Sequence, residues 1–357
     1  MIKKEYNIVA SMSGTSLDGI DLIYVAFKLD GTWNFTIRHG QTVPYPKLWV
    51  DKLNNLVNLS SEELKQIDED YTAYFAAVLK EFISRHHIEP IDFISSHGHT
   101  ALHQPERGFT YQIGNLPILA ELVDQMVICD FRVQDVELGG QGAPLVPIGD
   151  KLLFLEYDYC INLGGFANLS SDYNSIRIAY DICPTNIVLN HYVRSMGHDF
   201  DDRGQMAKKG TINEQLLAEL NALEFYSQNH PKSLGLEWVH AFVFPLIDQY
   251  NLKTEDVLKT FTEHIAIQIS KEINKKESAR VLITGGGAYN DYLILRIKSK
   301  TKHKIVIPSK EIVEFKEALI FGLLGVLRIR GENNCLSSVT GAKYDHSSGK
   351  IFRPEKN

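Results

Sequence analysis

Residues suited to phosphate chemistry crowd into the stretch Ser11-Met-Ser-Gly-Thr-Ser-Leu-Asp-Gly-Ile-Asp21. Glycine lets backbone N–H groups close on an anion, hydroxyls add donors, and aspartate can hold a metal ion. The stretch reads either as a phosphate-binding hairpin or as a polar β-turn without a ligand. Four further constellations could carry chemistry. Asp181, in Ile178-Ala-Tyr-Asp-Ile-Cys-Pro-Thr-Asn186, sits at the end of a strand, before a helix starting near Thr185. There it can be a general base beside a phosphate-favouring helix N-terminus, or a simple turn carboxylate. Thr284-Gly-Gly-Gly-Ala288 lets a flat or anionic ligand approach the backbone, although glycine is common in such turns.

In Ser96-His-Gly-His-Thr-Ala-Leu-His103, the three histidines match no helical ligand pair, and no nearby Cys or Glu completes a metal set. Polar substrate contacts are the preferred functional reading, with hydrogen-bonded loop histidines as the alternative. Asp130-Phe-Arg132 pairs a carboxylate and a guanidinium at a strand end, suited to a polyhydroxylated or acidic ligand or to a structural ion pair. The following Leu138-Gly-Gly-Gln-Gly-Ala-Pro-Leu145 would line a site or join domains.

The elements that must position these groups follow from apolar pattern. Residues 8–10 and 22–27 read as strands flanking the first loop, and 32–41 as a third, closing an antiparallel meander. Ser60-Ser-Glu-Glu63 is a capping-box pattern opening a helix to about 87. Residues 91–95 and 126–130 read as short strands. The opening arrangement then recurs: 159–163, a Gly164-Gly165 turn, 167–170 and 176–181. Helices over 239–250 and 255–273 precede a strand at 280–284, another helix, a strand at 304–307 and a helix over 314–330. Gly322 and Gly325 inside that last helix each cost roughly 1 kcal/mol against Ala, which suggests close packing or a ligand approach. The repeat of pattern predicts two similar α/β domains facing across a ligand cleft.

Composition is that of an ordinary globular protein: 357 residues, 44% hydrophobic and 23% charged. A net charge of −7 gives no electrostatic reason to expect nucleic acid or an anionic membrane surface. Four scattered cysteines without a C-x-x-C pair suggest reduced thiols. Residues 1–20 lack the apolar core of a signal peptide, and no run of about 18 apolar residues exists. The expectation is a cytoplasmic protein with no membrane or nucleic-acid partner.

Together the segments resemble the anhydro-N-acetylmuramic acid kinase family, in order and over nearly the whole chain. The resemblance rests on residues 12–21, Ser96-His-Gly-His-Thr100 with His103 and Pro105, Asp130-Phe-Arg132 and Gly139-Gly-Gln-Gly-Ala-Pro-Leu-Val-Pro147. It continues through Asn162-Leu-Gly-Gly-Phe-Ala-Asn168, Gly285-Gly-Gly-Ala-Tyr-Asn290, Glu317-Ala318 and Val339-Thr-Gly-Ala342. It implies an α/β fold of two ribonuclease-H-like (actin-like ATPase) lobes around a central nucleotide cleft, with 1–132 plus 333–357 as one lobe and 133–332 as the other. It implies a kinase that uses ATP and Mg²⁺ to open 1,6-anhydro-N-acetylmuramic acid and phosphorylate O6, with Asp181 activating water. Gly14, Thr15, Ser16, Leu17, Asp18, Gly19, Ile20 and Asp21 would hold the ATP phosphates, with Asp18 and Asp21 as metal ligands. Gly164, Gly165, Asn186, Gly285, Gly286 and Gly287 would complete the nucleotide site, the last three under the adenosine. His97, His99, Asp130, Arg132 and Glu317 would line the sugar pocket. A homodimer is also implied.

Departures from the family pattern cluster in the second half. Thr-Gly-Pro-Gly-Asn after the catalytic aspartate is here Ile182-Cys-Pro-Thr-Asn186, an aspartate appears as Asn190, and Lys-Ser-Thr-Gly-Arg-Glu is Lys232-Ser-Leu-Gly-Leu-Glu237. If positions 183 and 185 need φ > 0 or touch phosphate, their side chains would interfere. The alternative expectation is therefore a divergent relative that binds nucleotide or glycan with weak or no turnover, or phosphorylates another sugar.

Overall fold

The structure, a computed structural model, describes residues 3–14 and 16–355. The chain divides into two compact units: the residues up to Leu153 together with those from Phe315 onward, and Phe154–Glu314. Each has its own sheet and core.

In the first unit, β1 (Glu5–Ser13), β2 (Ile20–Asp30) and β3 (Thr32–Val43) form an antiparallel meander. The other edge of β1 pairs in parallel with β4 (Phe93–Gln104), which carries β5 (Phe109–Ile113) as a hairpin partner. Beyond β4 lie β6 (Val127–Cys129), parallel to it, and then the antiparallel Lys350–Phe352 strand. Ile8, Val9 and Ala10 are wholly buried on successive positions, because a central strand is covered on both faces. β3, at the edge, alternates exposed and half-buried residues. The Ser61–Arg85 helix starts as expected: Ser60 Oγ accepts from Glu63 N and Ser60 N donates to Glu63 Oε2.

The second unit repeats the plan. β7 (Tyr159–Leu163), β8 (Phe166–Tyr173) and β9 (Ile176–Pro184) form the meander. β10 (Arg280–Thr284) adds in parallel to β7, and β11 (Lys304–Val306) in parallel to β10. The spatial orders β6-β4-β1-β2-β3 and β11-β10-β7-β8-β9 are the same path. That is the ribonuclease-H-like arrangement of actin-like ATPases, present twice, and the chain is of the expected α/β class. The Asn186–Arg194, Thr254–Ile273 and Asp291–Ser299 helices share the second core through Val188, Ile265 and Ile297, all unexposed.

Several elements extend past their sequence-predicted ends. β4 runs on to Gln104 because β5 pairs with it, so His97 and His99 lie in a strand and not in a loop after one. β9 continues to Pro184 through the pairs Ala167↔Cys183 and Phe166↔Pro184, so Asp181 stands three residues inside its strand end. The segment read as a helix over 239–250 is a π-helical stretch, Val239–Val243, set between Leu236–Trp238 and Phe244–Asp248.

By internal packing the first unit also takes in residues 133–153 and 315–332. Packing gives the reason: a Cβ on Gly322 would meet Ala10 and Ile8 at 3.1 Å, and one on Gly325 would meet Ser95 Oγ at 2.5 Å. The two glycines thus serve close packing of the Lys310–Arg330 helix on β1 and β4, reinforced by Ser95 Oγ donating to Phe321 O at 2.6 Å. All four cysteines are free and buried. Among the described residues, no helix is long and apolar enough to cross a membrane.

Candidate active site

In the first unit, the Ser13–Ile20 pair closes the β1–β2 hairpin that carries the candidate phosphate loop. Leu17 takes φ 59°, and its N–H donates to Gly14 O at 3.4 Å. Gly19 is sterically required, since a Cβ there would lie 2.5 Å from Val43 O. Asp18 is exposed and accepts from Ser16 Oγ at 2.8 Å. Asp21 accepts from Thr42 Oγ1 at 2.6 Å. Ile20 is buried and anchors the loop from below. Thr15 lies outside the described residues.

Beside this hairpin, Ser13 Oγ is hydrogen-bonded both to His99 Nδ1 at 2.8 Å and to Tyr45 OH at 2.6 Å, and Tyr45 OH to Tyr71 OH at 2.5 Å. The chain of hydroxyls fixes the end of β1 against β4 and the Ser61–Arg85 helix. Burial holds the His99 imidazole neutral, its pKa lowered to about 4.

His97 and Arg132 form a second group. Arg132 Nε donates to His97 Nε2 at 2.9 Å, and its Nη1 donates to Gly142 O at 2.7 Å. His97 Nδ1–H therefore faces Gly98 O at 2.9 Å, which fixes its tautomer. Burial first, and then the Arg132 charge, push His97 well below the usual histidine range. Glu317 shares this environment: burial raises its carboxyl pKa, while Arg132 and Lys316 oppose the rise. Lys316 itself is ion-paired with Asp150 at 2.8 Å in a nearly solvent-free setting. Asp130 is directed differently, taking φ 62° and an ion pair with Lys350 at 2.6 Å.

The second unit gathers the other candidates. Asp181 Oδ2 accepts from Leu234 N at 2.8 Å, and Asp181 N donates to Lys232 O at 3.1 Å. The 232–237 segment thus aims the carboxylate through its backbone, which is indifferent to the side chains at 234 and 236. Burial lifts the Asp181 pKa, and the Leu234 N–H pulls it back. Asn186, at the start of the Asn186–Arg194 helix, donates from Nδ2 to Leu163 O at 3.3 Å. Gly285 takes φ 81°, and a Cβ there would lie 2.0 Å from Asn162 Oδ1. Gly287 is closed in by Leu163, whereas Gly286 is exposed. Gly164, Gly165, Asn186 and Gly285–Gly287 therefore form one backbone-lined surface.

The departures at 183 and 185 turn inward. Cys183 and Thr185 are both 0% exposed. Thr185 has a negative φ of −132°, so its backbone is not in the left-handed region that favours glycine. Its Oγ1 donates to Gly164 O at 2.7 Å and its N–H to Gly165 O at 2.8 Å, so it clasps the glycine turn instead of overhanging it.

The sequence profile described as anhydro-N-acetylmuramic acid kinase matches residues 6–354. The chain belongs to the anhydro-N-acetylmuramic acid kinase family. Relatives bearing that name include one from Pseudomonas savastanoi pv. phaseolicola, 31% identical over 98% of this chain and 99% of its own. Another, from Mannheimia succiniciproducens, is 31% identical over 99% and 100%. A third, from Caldanaerobacter subterraneus subsp. tengcongensis, is 32% identical over 98% and 97%. Among solved structures, component A of (R)-2-hydroxyglutaryl-CoA dehydratase from Acidaminococcus fermentans is 13% identical over 88% of this chain and 95% of its own, at a TM-score of 0.45, too distant to bear on function.

In this family member, sequence reasoning missed the Ser13–Tyr45–Tyr71 chain, the Leu234 N–H and the Thr185 clasp. The first is a tertiary meeting of distant residues. The second is a backbone donor, which no residue type announces. The third had a signal, since a threonine directly before a helix is a natural hydrogen-bonding residue.

Proposed function

We propose that the chain uses ATP to open 1,6-anhydro-N-acetylmuramic acid and phosphorylate its O6, giving N-acetylmuramic acid 6-phosphate and ADP. Full-length membership of the family carries this reading. The buried carboxylate of Asp181, steered by the Leu234 N–H, supports it at the level of the site.

In the proposed mechanism, Asp181 accepts a proton from a water that attacks the anomeric carbon; the C1–O6 bond breaks as O6 takes the γ-phosphoryl group, and ADP leaves. A carboxylate whose pKa is lifted by burial is a stronger base for that task. The Gly14–Asp21 hairpin supplies N–H and hydroxyl donors to the phosphates, and Gly164, Gly165, Asn186 and Gly285–Gly287 bind the rest of the nucleotide. Asp18 and Asp21 are oxygen donors of the hard type Mg²⁺ prefers, and Mg²⁺ would neutralise phosphate charge there. His97, His99, Asp130, Arg132 and Glu317 are assigned to the sugar. Neutral His99, whose Nε2 is not taken by the Ser13 bond, can hydrogen-bond a hydroxyl, His97 holds Arg132 in place, and Arg132 can meet a carboxylate. Family membership is also the ground for a homodimer acting in the cytoplasm.

The test is Asp181→Asn assayed with Mg-ATP and the anhydro sugar. The amide oxygen can still accept from Leu234 N, so the fold should persist. Turnover should fall roughly 10²–10⁴-fold, the usual worth of a general base. Wild-type turnover in Asp181→Asn would overturn the assignment.

A further inference from the structure

Outside the kinase site, three side chains from different segments converge in the first unit. Asp135, Cys335 and His346 are 0%, 1% and 4% exposed, and one ligand atom from each lies within 4.8 Å of the others. Cys335 and His346 are held opposite one another by a two-way backbone bridge, Cys335 N to His346 O at 3.0 Å and the reverse at 3.2 Å. Asp135 is held from both sides: its Oδ2 accepts from Gly142 N and its Oδ1 from Thr340 Oγ1, each at 2.7 Å. The glycine loop wraps this carboxylate so closely that a Cβ on Gly140 would lie 2.2 Å from Oδ2.

The histidine decides what this cluster lacks. His346 Nδ1 lies 3.1 Å from Tyr344 O, and a carbonyl can only accept, so Nδ1 carries the proton. Nε2 is the ring atom left to face the cluster. That atom is buried without a hydrogen-bond partner and faces Asp135 Oδ1 at 3.6 Å. A ring nitrogen and a carboxylate oxygen that face each other in the interior, with no bond between them, are placed to share a cation. A proton bridges poorly at 3.6 Å, beyond normal hydrogen-bond length. Two ligands at about 2.0–2.2 Å from a tetrahedral ion are separated by a span of this order, and the Tyr344 carbonyl supplies the outer partner that metal-bound histidines ordinarily have.

We infer that Asp135, Cys335 and His346 bind a borderline-soft divalent cation, Zn²⁺ by ligand type, as three protein ligands that leave a fourth position open, at a site separate from the kinase Mg²⁺. On binding, Cys335 Sγ–H gives its proton to solvent as the metal–sulfur bond forms. Thiolate and carboxylate then balance the two positive charges. The ion fastens the Gly139–Gly142 loop to the chain around 335–346.

The test uses full-length protein stripped with chelator and titrated by calorimetry with Zn²⁺, and with Co²⁺ as an optical probe of thiolate ligation. One Zn²⁺ per chain, a thiolate-to-Co²⁺ charge-transfer band and a raised melting temperature are expected, none of them displaced by excess Mg²⁺. Cys335→Ser and His346→Gln should each weaken binding at least about tenfold, as loss of a ligand does. If a variant fails to fold, the wild-type Co²⁺ spectrum carries the decision. Absence of stoichiometric Zn²⁺ binding overturns the proposal. Zn²⁺ binding unchanged in both variants, or Co²⁺ bound without thiolate, equally overturns it.

Discussion

Restoring the family glycines at positions 183 and 185 should weaken this protein without improving it. Thr185→Gly removes a buried hydroxyl that donates to Gly164 O at 2.7 Å. That loss is worth about 0.5–1.5 kcal/mol, because Gly164 is half-buried and its carbonyl still accepts from Asn186 N at 3.3 Å. The added backbone freedom of glycine costs a further ~0.5–1 kcal/mol. The total is about 1–2.5 kcal/mol, which corresponds to roughly 2–10 °C in melting temperature for a unit of this size. Cys183→Gly deletes a wholly buried side chain from the second core and should add about 2 kcal/mol. Thr185→Val, which keeps the shape and drops only the hydroxyl, should show the hydrogen-bond part alone. Thermal melts and steady-state kinetics with Mg-ATP and the anhydro sugar measure both effects. Turnover should stay level or fall, with KM for ATP rising as the Gly164–Gly165 turn loosens. A rise in kcat above about tenfold in the double glycine variant would refute this reasoning. It would mean that the two side chains crowd the phosphate and do not brace its turn.

Three other outcomes follow from the same geometry. Arg132→Ala strips donors from buried His97 Nε2 and from Gly142 O and should cost about 2–4 kcal/mol in denaturant melts, with Arg132→Lys recovering only part. Gly285→Ala should raise the Kd for ATP in calorimetry, since the residue sits at φ 81° with Asn162 Oδ1 2.0 Å from the new Cβ. Burial depresses His99 to about 4 and His264 to about 3, from an ordinary 6.5, so the folded state binds fewer protons than the unfolded state as pH falls. Their contribution to stability is complete above pH 6.5 and is lost as pH falls toward 4 and 3; chemical denaturation from pH 8 to 4 should show this, and His99→Gln should flatten the slope.

The sequence by itself determined the class of fold and the family. Strand, glycine turn, strand, strand recurs because each ribonuclease-H-like meander needs continuous apolar runs at its centre, and such runs are visible in one dimension. The capping box of the Ser61–Arg85 helix and the 280–284 strand were equally legible, being local. Tertiary structure decided what depends on pairing and approach. Asp181 is internal to β9 because β8 reaches Pro184, and its orientation comes from a backbone N–H 53 residues away. Gly322 and Gly325 proved to be contact points for strands more than 200 positions earlier in the chain, which also draws their helix into the first unit. The inward turn of Cys183 and Thr185 could not be read from residue type, since a side chain's identity does not say which way the strand presents it. The same holds for Asp135, Cys335 and His346, which are unremarkable apart and meet only because the C-terminal segment folds back on the glycine loop.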